Sequence, residues 1–219
     1  MSNSYGKLFK ISLSGESHSE AIAIILDGVP SGVELDMEKI SFEMSRRAPG
    51  NNVFSTPRKE DDIPKILSGV FNGKTTGTPI CAVIPNTNTQ SKDYNSDILR
   101  PSHADYSGKL RYNGYNDYRG GGHFSGRLTA LLVFAGAIAK QILEKENIKI
   151  LSHIKNIESI YDDEIDMSNP DLSKLSKLNK KTLPFINESK EKESKRSSVR
   201  LFFSVIIGIV LGGEQGSLC

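Results

Sequence analysis

Hydrophobic patterning begins at Lys7 to Leu13, which reads as a strand with Leu8, Ile11 and Leu13 as its apolar members. Gly15-Glu16-Ser17-His18 breaks the pattern. Ala21 to Leu26 follows as an unbroken apolar run, the mark of a buried strand or a short buried helix. Gly28, Pro30 and Gly32 punctuate a turn. Asp36 stands where a helix N-cap belongs, ahead of Met37, Ile40 and Met44 at helical spacing. Pro49-Gly50 predicts the end of that helix near Ala48. Asn51 to Asp62 is polar and loop-like. Lys65 to Val70 and Pro79 to Ile84 read as strands around a turn at Gly73 to Thr78. Asn86 to Asn113 reads as polar loop, longer than a connector needs, and such loops are usually functional or disordered.

The clearest helix is predicted from about Phe124 to Lys145, where Leu128, Leu131, Leu132, Ala135, Ile138, Ile142 and Leu143 recur at three and four. Gly126, Ala130, Gly136, Ala137 and Ala139 leave little bulk on its other sides, so it is expected to pack closely on more than one face. Ile148 to Ile154 reads as a strand. From Tyr161 to Ser198 the composition shifts to Lys, Glu, Asp, Ser and Asn, with a solvated charge run at Lys190 to Arg196. The expected organisation is one domain portion over residues 1–198 and an aberrant apolar tail over 199–219.

Composition narrows this picture only a little. With 219 residues the chain can bury one substantial core or two small ones. A formal net charge of +2 gives no whole-protein field for nucleic acid or an anionic membrane, so any anion site must be local. Cys81 and Cys219 have no ligand-pair spacing and read as reduced thiols; no metal site is expected. Met1 to Lys10 is polar and unlike a signal peptide, and the longest apolar run, Leu201 to Leu211, falls short of the ~20 residues of a membrane span. A cytoplasmic location is the expectation.

Candidate chemistry starts with the four histidines. His18 lies at a strand-to-turn junction and His103 lies in Arg-Pro-Ser-His-Ala-Asp, both beside small turn-forming residues that let a side chain face a pocket. Either imidazole can act as a proton donor near neutral pH, or can be a hydrogen-bonded structural residue. His153, in an apparent strand, is read as structural. Arg46-Arg47 closes the first helix, Arg58 follows in the loop, and Arg100, Arg111, Arg119 and Arg127 cluster around a glycine run. Guanidinium forks bind phosphate and carboxylate bidentately, while Arg46 and Arg47 also suit a helix C-terminus. Gly120-Gly121-Gly122, read as lying directly before the long helix, suits an anion at a helix N-terminus, although a flexible hinge is the more common explanation of such a run. The residues alone reach an anionic ligand and two proton donors, and no particular reaction.

The same stretches resemble the opening of chorismate synthase. They are Gly15-Glu16-Ser17-His18, Asp27-Gly28-Val29-Pro30-Ser31-Gly32, Arg46-Arg47-Ala48-Pro49-Gly50, Ile66-Leu67-Ser68-Gly69-Val70-Phe71, Thr75-Thr76-Gly77-Thr78-Pro79-Ile80, Arg100-Pro101-Ser102-His103-Ala104-Asp105, and Asp117 through Arg127. They occur in the family's order, closely over residues 6–150 and weakly to about 198. The resemblance implies an α+β fold, a β-α-β sandwich, here incomplete, in a homotetramer. It implies a lyase that eliminates phosphate, 1,4-anti, from 5-enolpyruvylshikimate 3-phosphate to give chorismate with reduced FMN, the last step of the shikimate pathway. His18 matches the histidine that protonates the leaving phosphate, and His103 the one that stabilises reduced flavin. Arg46, Arg47, Arg100 and Arg127 match the substrate-binding cations. His123, Phe124 and Ser125 match a flavin-binding segment, and Arg47 also serves NADPH where members reduce their own flavin.

Three departures qualify what the resemblance implies. His123-Phe124-Ser125 replaces the Arg-Ser-Ser of many members, and Val53 stands where many have a second arginine, which weakens a role for NADPH as flavin reductant. Near the end, Ser197 to Leu201 and Gly212-Gly213-Glu214-Gln215 resemble distorted forms of two later family segments. A shortened reading frame is therefore expected, and the alternative function is an inactive remnant that at most binds FMN or a phosphorylated ligand.

Overall fold

The computed structural model describes residues 3–48, 61–87, 89, 92, 94–197 and the strand 205–213. The Pro49-Gly50 turn, Val53, Arg58, the loop up to residue 60 and residues from Glu214 onward lie outside the described residues. The chain divides into two compact units, one running to Gln141 and the other beginning at Ile142.

The first unit is built on a five-stranded antiparallel sheet. Its strands are β1 (Ser4–Tyr5), β2 (Lys10–Gly15), β3 (Ala21–Asp27), β4 (Lys65–Ser68) and β7 (Ile80–Pro85), in the order β1-β2-β3-β7-β4. The small hairpin β5 (Val70–Phe71) and β6 (Lys74–Thr75) lies between β4 and β7 in sequence. The expected first strand begins at Lys10 instead of Lys7. Gly6, at φ +98°, turns the chain between β1 and β2, which leaves Leu8 exposed. A Cβ at Gly6 would meet the Phe9 carbonyl oxygen, so only glycine fits that turn.

Alternation decides which face is buried. Ile22, Ile24 and Leu26 of β3 and Ile80, Ala82 and Ile84 of β7 are buried, while Ile25, paired with Cys81, is half exposed on the other face. Helix α1 (Met37–Arg47) turns Ile40 and Met44 inward, and the Asp36 carboxylate accepts from the Glu38 and Lys39 amides at its start, as the sequence predicts. Helix α3 (Thr129–Glu144) buries Ala130, Leu131, Phe134, Ala135, Ala137 and Ile138. Gln141 locks the two helices together, accepting from the Asp36 amide at 2.8 Å and donating to the Asp36 carbonyl at 3.1 Å. Residues Gly126–Glu144 are long and apolar enough to cross a membrane, and half of that stretch is buried inside the protein.

Two expectations for this unit change. The presumed loop Asn86 to Asn113 contains helix α2 (Asp105–Arg111). The long helix starts at Thr129 and not Phe124, because Gly120–Gly122 leave helical geometry and Ser125 is extended at φ −67°, ψ 144°.

In the second unit β8 (Ile148–Ile157) is central, flanked by β9 (Ile160–Tyr161) and β10 (Val205–Gly213), both antiparallel to it. Residues 205–213, within the stretch read as an aberrant tail, pair with β8. Helices α4 (Leu172–Leu178) and α5 (Glu188–Ser197) fill the charged region. Leu151, Leu175 and Leu178 form one apolar cluster, and Ile154, Ile157, Ile160 and Phe185 another.

Candidate functional site

The site of the first unit is organised by its three consecutive glycines. Gly120, Gly121 and Gly122 all have positive φ, at +59°, +87° and +53°. A Cβ on Gly120 would stand 2.5 Å from the His18 ring, and one on Gly121 would stand 2.7 Å from the His103 ring. On Gly122 it would meet the Asp117 carbonyl oxygen. Two imidazoles therefore press against adjacent backbone units that have room for them only as glycines. This corrects the reading of the glycines as an anion cradle at the start of the long helix. They are separated from α3 by the extended Ser125 and a 3-10 turn, Gly126–Leu128, and their task is steric.

The strand-to-turn junction delivers His18. The Ser17 amide donates to the Gly122 carbonyl at 3.1 Å, tying it to the glycine run. His18 meets Tyr94 edge-on, with ring centroids 5.2 Å apart, and the Arg100 guanidinium lies over the same Tyr94 ring at 5.7 Å. His103 sits between Ser102 and α2. Its Nδ1 is 2.7 Å from Asp105, and Arg100 donates to the same carboxylate from Nε at 2.8 Å and from Nη2 at 2.9 Å. The Arg100 hydrogen bond, against the opposing effect of burial, holds the Asp105 carboxyl well below the usual carboxylate range. Arg119 does the same for Asp117, though less strongly.

Ser102 adopts φ +60°, a left-handed conformation that costs a residue with a Cβ about 1–2 kcal/mol. Ser102→Gly is expected to raise stability by up to about 1 kcal/mol, read as a higher midpoint in urea. An unchanged or lower midpoint would mean the turn is not strained.

The arginines divide by burial. Arg127 has only 4% of its side chain exposed and donates to Asp62, to Asn86 at 2.9 Å and to the Pro85 carbonyl at 3.1 Å. Arg47 donates to the other oxygen of Asp62 at 2.6 Å and to the Gly126 carbonyl at 3.0 Å. Arg46 pairs with Glu43 and lies over the Phe42 ring on the outer face of α1. Arg100, with 39% of its side chain exposed, is the most accessible of the four.

The flavin-matching segment is close by. His123 Nδ1 is 2.8 Å from the Gly15 carbonyl oxygen, while Phe124 packs on Gly108 of α2 and tilts against Tyr112. Both line a cavity of about 390 Å³ with Gly15, Glu16, Tyr115 and Asp117. A second cavity, about 200 Å³, is lined by Tyr94, Ile98, Arg100, Asp105, Lys109 and Tyr118. Ser125 Oγ caps the 3-10 turn by accepting from the Arg127 amide. His153, in the second unit, is buried and 3.3 Å from Asp162, whose carboxylate also accepts from the Ile186 and Asn187 amides. Its structural reading fits that geometry. Tyr94, Asp62 and Asn86 belong to no recognisable sequence pattern, and Asp105, though inside the motif that carries His103, is given no role by the sequence.

Fold and site together define an α+β protein with two imidazoles seated against adjacent glycines and Arg100 beside one of them, equipment suited to moving a proton at an anion. A family model described as chorismate synthase matches residues 9–202, and the chain belongs to that family. It is 50% identical to the chorismate synthase of Thermococcus kodakarensis over 154 residues, covering 69% of this chain and 43% of the relative. With the chorismate synthase of Sulfurimonas denitrificans it shares 45% over 199 residues, covering 90% of this chain and 53% of the relative. A crystal structure of chorismate synthase superposes with a TM-score of 0.66 at 32% identity, over 87% of this chain and 52% of that one. The α+β fold is that of the family, and the chain spans about half the length of the curated relatives it matches.

Proposed function

We propose that this chain supplies the proton-donor side of a chorismate synthase site, eliminating phosphate from 5-enolpyruvylshikimate 3-phosphate to give chorismate. The observation that carries the reading is the seating of His18 and His103 against adjacent glycines, with Tyr94 between His18 and Arg100. His18 donates a proton to the departing phosphate oxygen, which lowers the charge that develops there. Arg46, Arg47, Arg100 and Arg127 are the candidate cations for the phosphate and the two carboxylates, and Arg100 is the most exposed of them. Reduced FMN, when bound, supplies transient electron density to the breaking C–O bond. The residues present fit one side of such a planar cofactor. Tyr112, Tyr115 and Phe124 give the larger cavity aromatic walls, and His123 and Phe124 belong to the flavin-matching segment. The proposed assembly is the family's homotetramer, with NADPH or another source reducing the flavin.

The test is phosphate release, followed with reduced FMN and with no flavin, for the 219-residue chain and for a version extended with the C-terminal half of a relative. Turnover is expected in the extended version and only with reduced flavin. Equal release without flavin would refute the reading. In the same assay His18→Ala and His103→Ala should each lower kcat by about 10²-fold, the usual range for positioned acid–base groups, and His153→Ala should not.

A further inference from the structure

We infer that Asp105 is the positioning residue of His103, holding Nδ1–H toward its carboxylate and Nε2 toward Gly121. The inference rests on the lyase reading above.

The local chain makes the arrangement possible. Ser102, with its positive φ, turns the backbone so that the His103 amide donates back to the Arg100 carbonyl at 3.3 Å. Asp105 opens α2 two residues later, which brings its carboxylate back to both side chains. One oxygen accepts from the Arg100 amide at 3.0 Å and from Arg100 Nε at 2.8 Å. The other accepts from Arg100 Nη2 at 2.9 Å and lies 2.7 Å from His103 Nδ1.

The tautomer follows from what each group can offer. A carboxylate held ionised by a guanidinium only accepts, so a nitrogen 2.7 Å from it must carry the proton. Arg100 Nη2 is about equally far from the two ring nitrogens, 3.2 Å from Nδ1 and 3.3 Å from Nε2, so it lies over the ring and not in the plane of either lone pair. The Nε2–H tautomer would set the Nδ1 lone pair against the carboxylate.

A carboxylate behind an imidazole fixes its tautomer and holds the charge that forms when the far nitrogen takes a proton. His103 is thereby held with Nε2, the nitrogen away from the carboxylate, at Gly121. Asp105 touches neither ligand nor reacting atoms in this scheme.

The test is long-range proton–nitrogen NMR on the 219-residue chain with ¹⁵N-labelled histidine, at a pH well above the ordinary imidazole value of ~6.5. The expected spectrum gives His103 a pyrrole-type Nδ1 and a pyridine-type Nε2. Asp105→Ala should return the ring to the Nε2–H form that imidazoles prefer in water, with the signals of His123, in the same unit, unchanged as a check on the fold. A wild-type Nε2–H ring overturns the inference even if the variant does not fold, and so does a His103 spectrum that ignores the substitution. In an enzyme with turnover, Asp105→Ala should lower kcat by about 10- to 100-fold, the usual effect of losing such a partner, with KM little changed. Absence of turnover in the extended version without the substitution would sink the lyase reading and leave the NMR result to judge Asp105.

Discussion

Gly121→Ala is expected to lower lyase turnover by about 10²-fold, as much as removing His103 itself, while the protein stays folded. The added Cβ would stand 2.7 Å from Cε1 and 2.9 Å from Nε2 of His103, closer than real Cβ contacts come. Something must move, and the imidazole is the movable partner. The backbone cost of a Cβ at φ +87° is about 1–2 kcal/mol, less than a typical net stability of ~5–15 kcal/mol. The fold therefore survives and the His103 geometry does not. Gly120→Ala should act in the same way on His18, whose Nε2 would lie 2.5 Å from the new carbon. Gly136→Ala is the control, because that glycine lies inside α3 with nothing within 4 Å. It should leave turnover unchanged and add about 0.5–1 kcal/mol of stability. Steady-state rates and urea midpoints on the three variants decide the matter, and equal rates for all three would remove the steric role of the glycines.

Asp62→Ala is expected to cost about 3–5 kcal/mol of stability, enough to unfold a marginal domain. Its carboxylate is fully buried and binds Arg127 through one oxygen and Arg47 through the other. Removing it leaves the Arg127 guanidinium, with 4% of its side chain exposed, buried beside no anion. Asp62→Asn should fall between, since Asn tolerates the positive φ of 50° seen there and keeps one acceptor. Equilibrium urea unfolding is the measurement. A loss below about 1 kcal/mol for the alanine variant would show that the pair is solvated and not buried.

Much of the frame was legible because it rests on local rules. The apolar run Ala21 to Leu26 and the capped helix behind Asp36 required only periodicity and an N-cap. Helix α2 was not legible, because Asp105 to Arg111 carries only Tyr106 and Leu110 as large apolar residues, both exposed, and has Gly108 at its centre. That glycine answers a distant demand, since a Cβ there would stand 2.7 Å from the Phe124 ring. The start of α3 was misplaced for a related reason. Phe124 suits a helix by composition, but the glycines before it serve His18 and His103. The candidate histidines and arginines could be named from motifs, whereas their partners could not. Asp62 ends the charged run Lys59-Glu60-Asp61-Asp62 and reads there as a solvated residue. Nothing local says that it meets an arginine 65 positions away.

That separation bears on how the protein comes apart. Arg127 joins Asp62 across 65 residues and Asn86 across 41, contacts that close long loops and give nothing back until most of the chain is in place. Contacts of this kind belong to the native side of the folding barrier. Weakening them should accelerate unfolding and leave the folding rate nearly untouched. The buried arginine is then also a latch on the protein's lifetime, holding the assembled state by slowing the way out.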